Sequence, residues 1–212
     1  MADTPLSVRL WKENADLVEV CLRHPFVRGL ADGSLPKEAF ARYVAQDVFY
    51  LEGFFRGYAL AAARSDGRHD LAVTMYRLMG GVLDELAMHA DHAADLGIDT
   101  SSVVPYRSTE AYLNLLLDRG WHGELGEVLV VMTPCMRLYA FLGQSMAPRR
   151  TEDHPFRGWI DAYAGAQMES LAAELEGLVD EFADDSPAIH ELYRCAMEHE
   201  LAFFSAAYSG PT

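Results

Sequence analysis

The chain has 212 residues, half of them hydrophobic and 23% charged, which is enough for one domain with a full core and short for two. Its 17 basic residues stand against 32 acidic ones, a net charge of −15. That excess argues against nucleic acid and anionic membrane surfaces as partners, since both are bound through lysine and arginine, and favours a small or cationic ligand.

In chain order, apolar residues at Leu10, Leu17, Val18, Cys21 and Leu22 predict an amphipathic helix from about Leu6 to Leu22. His24-Pro25 stops it, because the residue before proline is pushed out of the helical region, and Gly29-Leu30-Ala31-Asp32-Gly33-Ser34 reads as a loop. Pro36 opens a long helix that reaches about Arg64, Gly53 and Gly57 weakening it without ending it. Ser65-Asp66-Gly67 signals a turn. A third helix spans about Asp70 to Leu96 and stops at Gly97, followed by an irregular stretch from Ile98 to Arg107.

Ser108 is the expected cap of a helix that ends near Arg119 at Gly120. Another helix runs from about Gly123 to Met146, with Pro134 inside it as a kink. His154-Pro155 opens a helix that continues to about Ala183, and Ser186-Pro187 starts the last one, which ends near Tyr208. No strand-like alternation, repeat or interior linker interrupts this order. The expectation is a single all-α helical bundle over residues 1–212, with loose ends at Met1–Asp3 and Gly210–Thr212.

No charge-free apolar stretch reaches the ~18 residues of a membrane span, and the N-terminus lacks the features of a signal peptide. Cys21, Cys135 and Cys195 form neither a CxxC pair nor a disulfide framework. A cytoplasmic protein is expected.

Three segments each set one ionisable group on an apolar helical face beside an aromatic: Asp47 with Tyr50, Cys135 with Tyr139, and Glu200 with Phe203 and Phe204. Residues three and four apart are neighbours on a helix, and a buried carboxylate or thiol costs free energy unless something uses it. Asp47 reads in two ways, as a cap or arginine partner, or as an acceptor for amino and ring N–H groups of a heterocycle. Glu200 among rings would have the raised pKa of a general acid–base. Cys135 is a core thiol or a nucleophile. Tyr112, Tyr139 and Tyr163 are core residues or pocket walls.

Glu85 and His89 lie one turn apart, a spacing that suits a metal ligand pair or a hydrogen-bonded support; Asp91-His92 and Glu198-His199, being adjacent, point to different faces. Neither a phosphate-binding glycine loop nor a G-x-S-x-G elbow is present, since Gly80-Gly81 falls in a helical pattern.

The order and spacing of several pieces resemble the TenA (thiaminase II) family over nearly the full length. They are His24-Pro25-Phe26-Val27-Arg28-Gly29-Leu30, Asp32 to Pro36, Tyr43 to Leu51, Glu85-Leu86-Ala87-Met88-His89, Ala111-Tyr112, Pro134-Cys135 with Tyr139, Ala162 to Gly165, and Glu200 with Phe203-Phe204 and Tyr208. The resemblance implies a haem-oxygenase-like fold without haem, a homotetramer, and cofactor-free, metal-free hydrolysis of 4-amino-5-aminomethyl-2-methylpyrimidine to the 5-hydroxymethyl pyrimidine and ammonia, with slow cleavage of thiamin by many members.

It further implies Cys135 as the nucleophile of the cysteine-bearing branch, Glu200 as acid–base and Asp47 as the group holding the pyrimidine. Tyr50, Tyr112, Tyr139, Tyr163 and Phe203 become pocket residues, and Glu85 and His89 supports. Phe49 and Phe204 depart from the tyrosine and tryptophan common in relatives, and Arg137 from an aromatic, which bears on substrate preference; Arg137 is expected to face away from the cavity. Two alternatives stand beside this reading. One is a di-iron oxidase on the same bundle; the other is a non-enzymatic pyrimidine-binding or regulatory protein, which the acidic balance and missing helix-turn-helix disfavour as a DNA binder.

Overall fold

Apolar residues at helical spacing run through nearly the whole chain, and they fold it into helices whose stripes share one core. The computed structural model describes residues 4–99 and 103–210, and among these it contains ten α-helices and no strand. They are α1 (Leu6–Glu13), α2 (Ala15–Arg23), α3 (Pro25–Asp32), α4 (Lys37–Ala62), α5 (His69–Leu96), α6 (Arg107–His122), α7 (Leu125–Met146), α8 (Arg157–Ala164), α9 (Ala166–Phe182) and α10 (Pro187–Ser209). Of the stretches expected to be loose or irregular, Met1–Asp3, Thr100–Ser102 and Pro211–Thr212 lie outside the described residues.

Helix α7 occupies the centre, with α4, α6, α8, α9 and α10 packed around it. The segment Leu125–Arg149 is apolar and long enough to cross a membrane by composition, yet 72% of its apolar window is buried in the bundle. Its hydrophobicity therefore serves the core. Pro134 lies within this helix, which continues through it. Where α7 meets α8, a Cβ on Gly143 would stand 2.5 Å from the Tyr163 carbonyl carbon and 2.6 Å from the Ala164 nitrogen. Glycine is what allows the backbones to meet there. Gly143→Ala is expected to push α8 outward and cost about 2 kcal/mol by overpacking, read by chemical denaturation.

Several boundaries differ from the sequence reading. The expected first helix is broken at Asn14, whose backbone leaves the helical region (φ −101°, ψ 18°) while its side-chain amide donates to the Leu10 carbonyl at 2.8 Å. The expected loop at Gly29–Ser34 is mostly the helix α3. His24 caps it by accepting the Phe26 N–H at 3.2 Å, Pro25 occupies its first turn, and Phe26, Val27 and Leu30 bury its apolar face. The true stop is Gly33, at φ 78°.

Ser108 is not a cap. α6 begins a residue earlier, and the Gln46 side-chain oxygen on α4 accepts from the Tyr106 N–H and the Thr109 hydroxyl, both at 2.7 Å. Gly120 does not end α6 but sits inside it against Leu60, and the helix runs to His122. The expected helix from His154 to Ala183 is two, divided at Gly165, whose backbone is extended.

Candidate active site

Four helices deliver the ionisable groups, each on an inward stripe. Asp47 and Tyr50 come from α4, Glu85 and His89 from α5, Cys135 and Tyr139 from α7, and Glu200 and Phe203 from α10. Tyr112 of α6 and Tyr163 of α8 complete the set. Asp47 is 4% exposed, Glu200 2% and His89 0%, so these polar groups lie deep in the core and must satisfy one another.

Two clusters result. In the first, the Tyr112 hydroxyl donates to the Glu200 carboxylate at 2.9 Å, and the Cys135 thiol lies within hydrogen-bonding reach of the same carboxylate. Tyr50 packs at a tilt against Tyr112 with centroids 4.8 Å apart, and its hydroxyl lies towards Cys135 and Tyr112 without an aligned partner. Burial pushes the Glu200 carboxyl up to about 8; the bonds from Tyr112 and Cys135 offset part of that rise, while the charges of Asp47 and Glu85 add to it. Burial also drives the Cys135 thiol well above its usual range, and the carboxylates of Glu200, Glu85 and Asp47 reinforce the shift. At rest the pair is a thiol beside a carboxyl that titrates slightly above neutrality. Ionising the sulfur requires the carboxylate to take its proton.

In the second cluster, Tyr163 donates to Glu85 through a short hydrogen bond, and His89 Nε2 lies 3.3 Å from the same hydroxyl and 2.8 Å from Asp47 Oδ2. Burial pushes Glu85 up to about 7, with Asp47 adding and His89 and Tyr163 opposing. Burial alone would lower the pKa of His89, but Asp47 and Glu85 outweigh it and hold it above the ordinary value. The imidazole therefore favours its charged form, clamped between carboxylates. The polar partners of Glu85 and His89 thus come from other helices, Tyr163 of α8 and Asp47 of α4.

The walls are aromatic. Tyr139 meets Tyr163 at 5.1 Å and Phe204 at 5.7 Å, and Phe203 faces Tyr43 and Tyr50, both at 6.0 Å. Tyr43 and Trp159, which sequence reasoning did not place in the site, complete this wall: the Trp159 indole donates to the Tyr43 hydroxyl at 3.3 Å and packs at a tilt against Tyr163, centroids 4.4 Å apart. The four-residue spacing from Trp159 to Tyr163 was the available signal. Arg137 points away from the site and is held by Glu169 and Glu176 of α9 at 2.9 and 2.6 Å.

Asp47, Glu85 and His89 each offer one ligand atom within 4.8 Å of the others, so this trio could hold a metal ion. A carboxylate-bridged di-metal centre in a helical bundle takes about four carboxylates and two histidines. The trio supplies two and one.

A family model described as TENA/THI-4/PQQC family matches residues 11–210. The chain is 28% identical over 211 residues to the aminopyrimidine aminohydrolase of Halalkalibacterium halodurans, covering 94% of each. It is 32% identical over 210 residues to the bifunctional TH2 protein, mitochondrial, of Arabidopsis thaliana, covering 86% of this chain but 34% of that protein, about a third of its length. Among solved structures, a TenA homologue from P. horikoshii OT3 superposes with a TM-score of 0.89 at 24% identity, covering 98% of this chain and all of that one. A Shewanella denitrificans domain with a heme oxygenase-like fold superposes at 0.70 and 17% identity, covering 95% and 89%.

Proposed function

Because the chain belongs to the TENA/THI-4/PQQC family, with the all-α haem-oxygenase-like fold of its structural neighbours, we propose that it is an aminopyrimidine aminohydrolase of thiamin salvage. Its substrate would be 4-amino-5-aminomethyl-2-methylpyrimidine, with thiamin as a slower one. The observation that carries this reading is the Cys135 thiol beside Glu200 in a closed aromatic site that also holds Asp47. Relatives named aminopyrimidine aminohydrolase at 28% and 27% identity support it.

The chemistry follows from the groups. The bound substrate carries its proton on a ring nitrogen, leaving the aminomethyl group neutral, and Asp47 accepts from that ring N–H and the amino group, which makes the ring electrophilic. Ionised Glu200 takes the thiol proton as sulfur adds to the ring carbon next to the one bearing the aminomethyl group. Ammonia then leaves the methylene, carrying a proton from Glu200. Water adds to the exposed methylene carbon and returns a proton to Glu200; expulsion of the sulfur restores the aromatic ring and yields the hydroxymethyl pyrimidine. Tyr50, Tyr112, Tyr139, Tyr163 and Phe203 enclose the flat ring, while Glu85 and His89 fix Asp47 and Tyr163. Neither a metal nor an organic cofactor is needed in this sequence of steps.

The same reading takes the protein to be cytoplasmic, where a lone catalytic thiol stays reduced, and homotetrameric. The exposed Val73 and Tyr76 of α5 and Trp121 of α6 supply apolar surface for self-association. The deciding experiment incubates purified protein with several 5-substituted aminopyrimidines and follows ammonia and product mass. Hydroxymethyl pyrimidine formed in step with ammonia is the expected result; substrate left intact would refute it. The donor trio of Asp47, Glu85 and His89 gives a metal-dependent second reading its one foothold. Stoichiometric iron in protein grown with iron, lost on His89→Ala, would favour that reading instead.

A further inference from the structure

Asp47 and Glu200 are almost fully buried and Cys135 is partly so, so a substrate needs a route inward. A cavity of about 360 Å³ opens between α5, α8 and α9 and borders the second cluster of the site. Glu85 and Tyr163 form part of its lining, and their bonded pair lies against His89, which touches Asp47. A molecule in the cavity is thus one layer of side chains from the site. Asp84 and Gln167 mark the rim, joined across it by a single exposed hydrogen bond of 3.3 Å. Met88, Met136 and Met168 line the cavity, and such flexible, polarisable side chains adapt to a flat ring.

The lining includes two carboxylates and neither lysine nor arginine. A larger groove of about 510 Å³ between the start of α6 and α10 is lined by Arg107 and Glu198 and reaches none of the site residues.

We propose that the α5–α8–α9 cavity is the access passage to the active site, and that Asp84 at its rim with Glu85 at its inner end makes it selective for cationic, amine-bearing pyrimidines over neutral or anionic ones. The chemistry of the traveller rests on the proposed function; the route does not. An alkylamine of ordinary pKa near 10 is a cation at neutral pH, and a chain of net charge −15 draws cations towards an acidic cleft.

The test reads access without turnover. In a Cys195→Ser background, which leaves Cys21 fully buried, Cys135 is modified with methanethiosulfonates bearing ethylammonium, methyl or ethylsulfonate groups, and the mass gain is timed. The cationic reagent is expected to react about tenfold faster than the anionic one, and Asp84→Lys to close that gap. Gly158→Trp is expected to slow all three by about tenfold, as bulk placed in the passage cuts access. A Cβ at Gly158 meets only His92 Nε2, at 3.6 Å, an ordinary contact, so the first atom of a side chain is accepted there without strain.

Unchanged rates in Gly158→Trp, or slowing by Ala202→Trp in the other groove instead, would overturn the route. An unchanged charge preference in Asp84→Lys would overturn the selectivity, even if the tryptophan variant did not fold. A protein that fails to hydrolyse aminopyrimidines yet shows these labelling differences would refute the proposed function and leave the passage standing.

Discussion

Cys135→Ser is expected to lower ammonia release from the aminomethyl pyrimidine by at least about a thousandfold, the scale of losing a covalent nucleophile, with helical content unchanged by circular dichroism. Serine is close in size to cysteine, so the walls around position 135 keep their places and the loss reads as chemistry. Buried among carboxylates, the thiol already resists ionisation, and a hydroxyl in its place resists far more, leaving Glu200 a proton it cannot remove at a useful rate. Cys195→Ser, a substitution of a partly buried cysteine outside the site, serves as the control and should retain full turnover. Should the serine variant at 135 keep pace with the parent, sulfur addition to the ring would be wrong, and Cys135 would be a packing residue.

The parts of this site were legible to different degrees, for physical reasons. Cys135, Asp47 and Glu200 stood out because each interrupts an apolar stripe, and an ionisable group on a buried face is costly wherever it occurs. Their family likeness supplied the roles. The partners were hidden because they come from other helices: spacing joined Glu85 to His89 along α5, whereas the bonds that hold them run to Tyr163 of α8 and Asp47 of α4. No local pattern encodes that crossing.

The helix periods were readable because 3.6-residue stripes are long signals. The breaks at Asn14 and Gly165 were not, since each is a single residue leaving the helical region inside an unbroken apolar pattern. α3 was lost to the opposite error. Gly29 within it and Gly33 just past it suggested a loop, but the His24 cap and the buried Phe26, Val27 and Leu30 outweigh the helix penalty of Gly29. Gln46 capping α6 from another helix is likewise a tertiary solution to a local need.

Glu200→Gln should separate catalysis from stability more sharply than any other substitution in the chain. Glutamine keeps the oxygen that accepts from Tyr112 but cannot carry the proton between sulfur, leaving amine and water. Turnover is expected to fall about a hundredfold to ten-thousandfold, the usual worth of a general acid–base. In the parent, kcat/KM should climb as Glu200 ionises through about 8, and that limb should vanish in the variant.

Stability moves the other way. Burial raises the folded-state pKa of Glu200 from an ordinary 4.5 to about 8, so between those values the folded protein holds a proton that the unfolded chain has released. Stability then falls as pH rises, by about 1.4 kcal/mol per pH unit, and the loss levels off once pH exceeds the folded-state value. Across that window the carboxylate costs on the order of 5 kcal/mol, which glutamine does not incur. The variant should therefore melt well above the parent at about pH 9 and together with it near pH 5, where both side chains are neutral. Coincident melting curves at both pH values would mean that Glu200 is not the desolvated acid the geometry makes it.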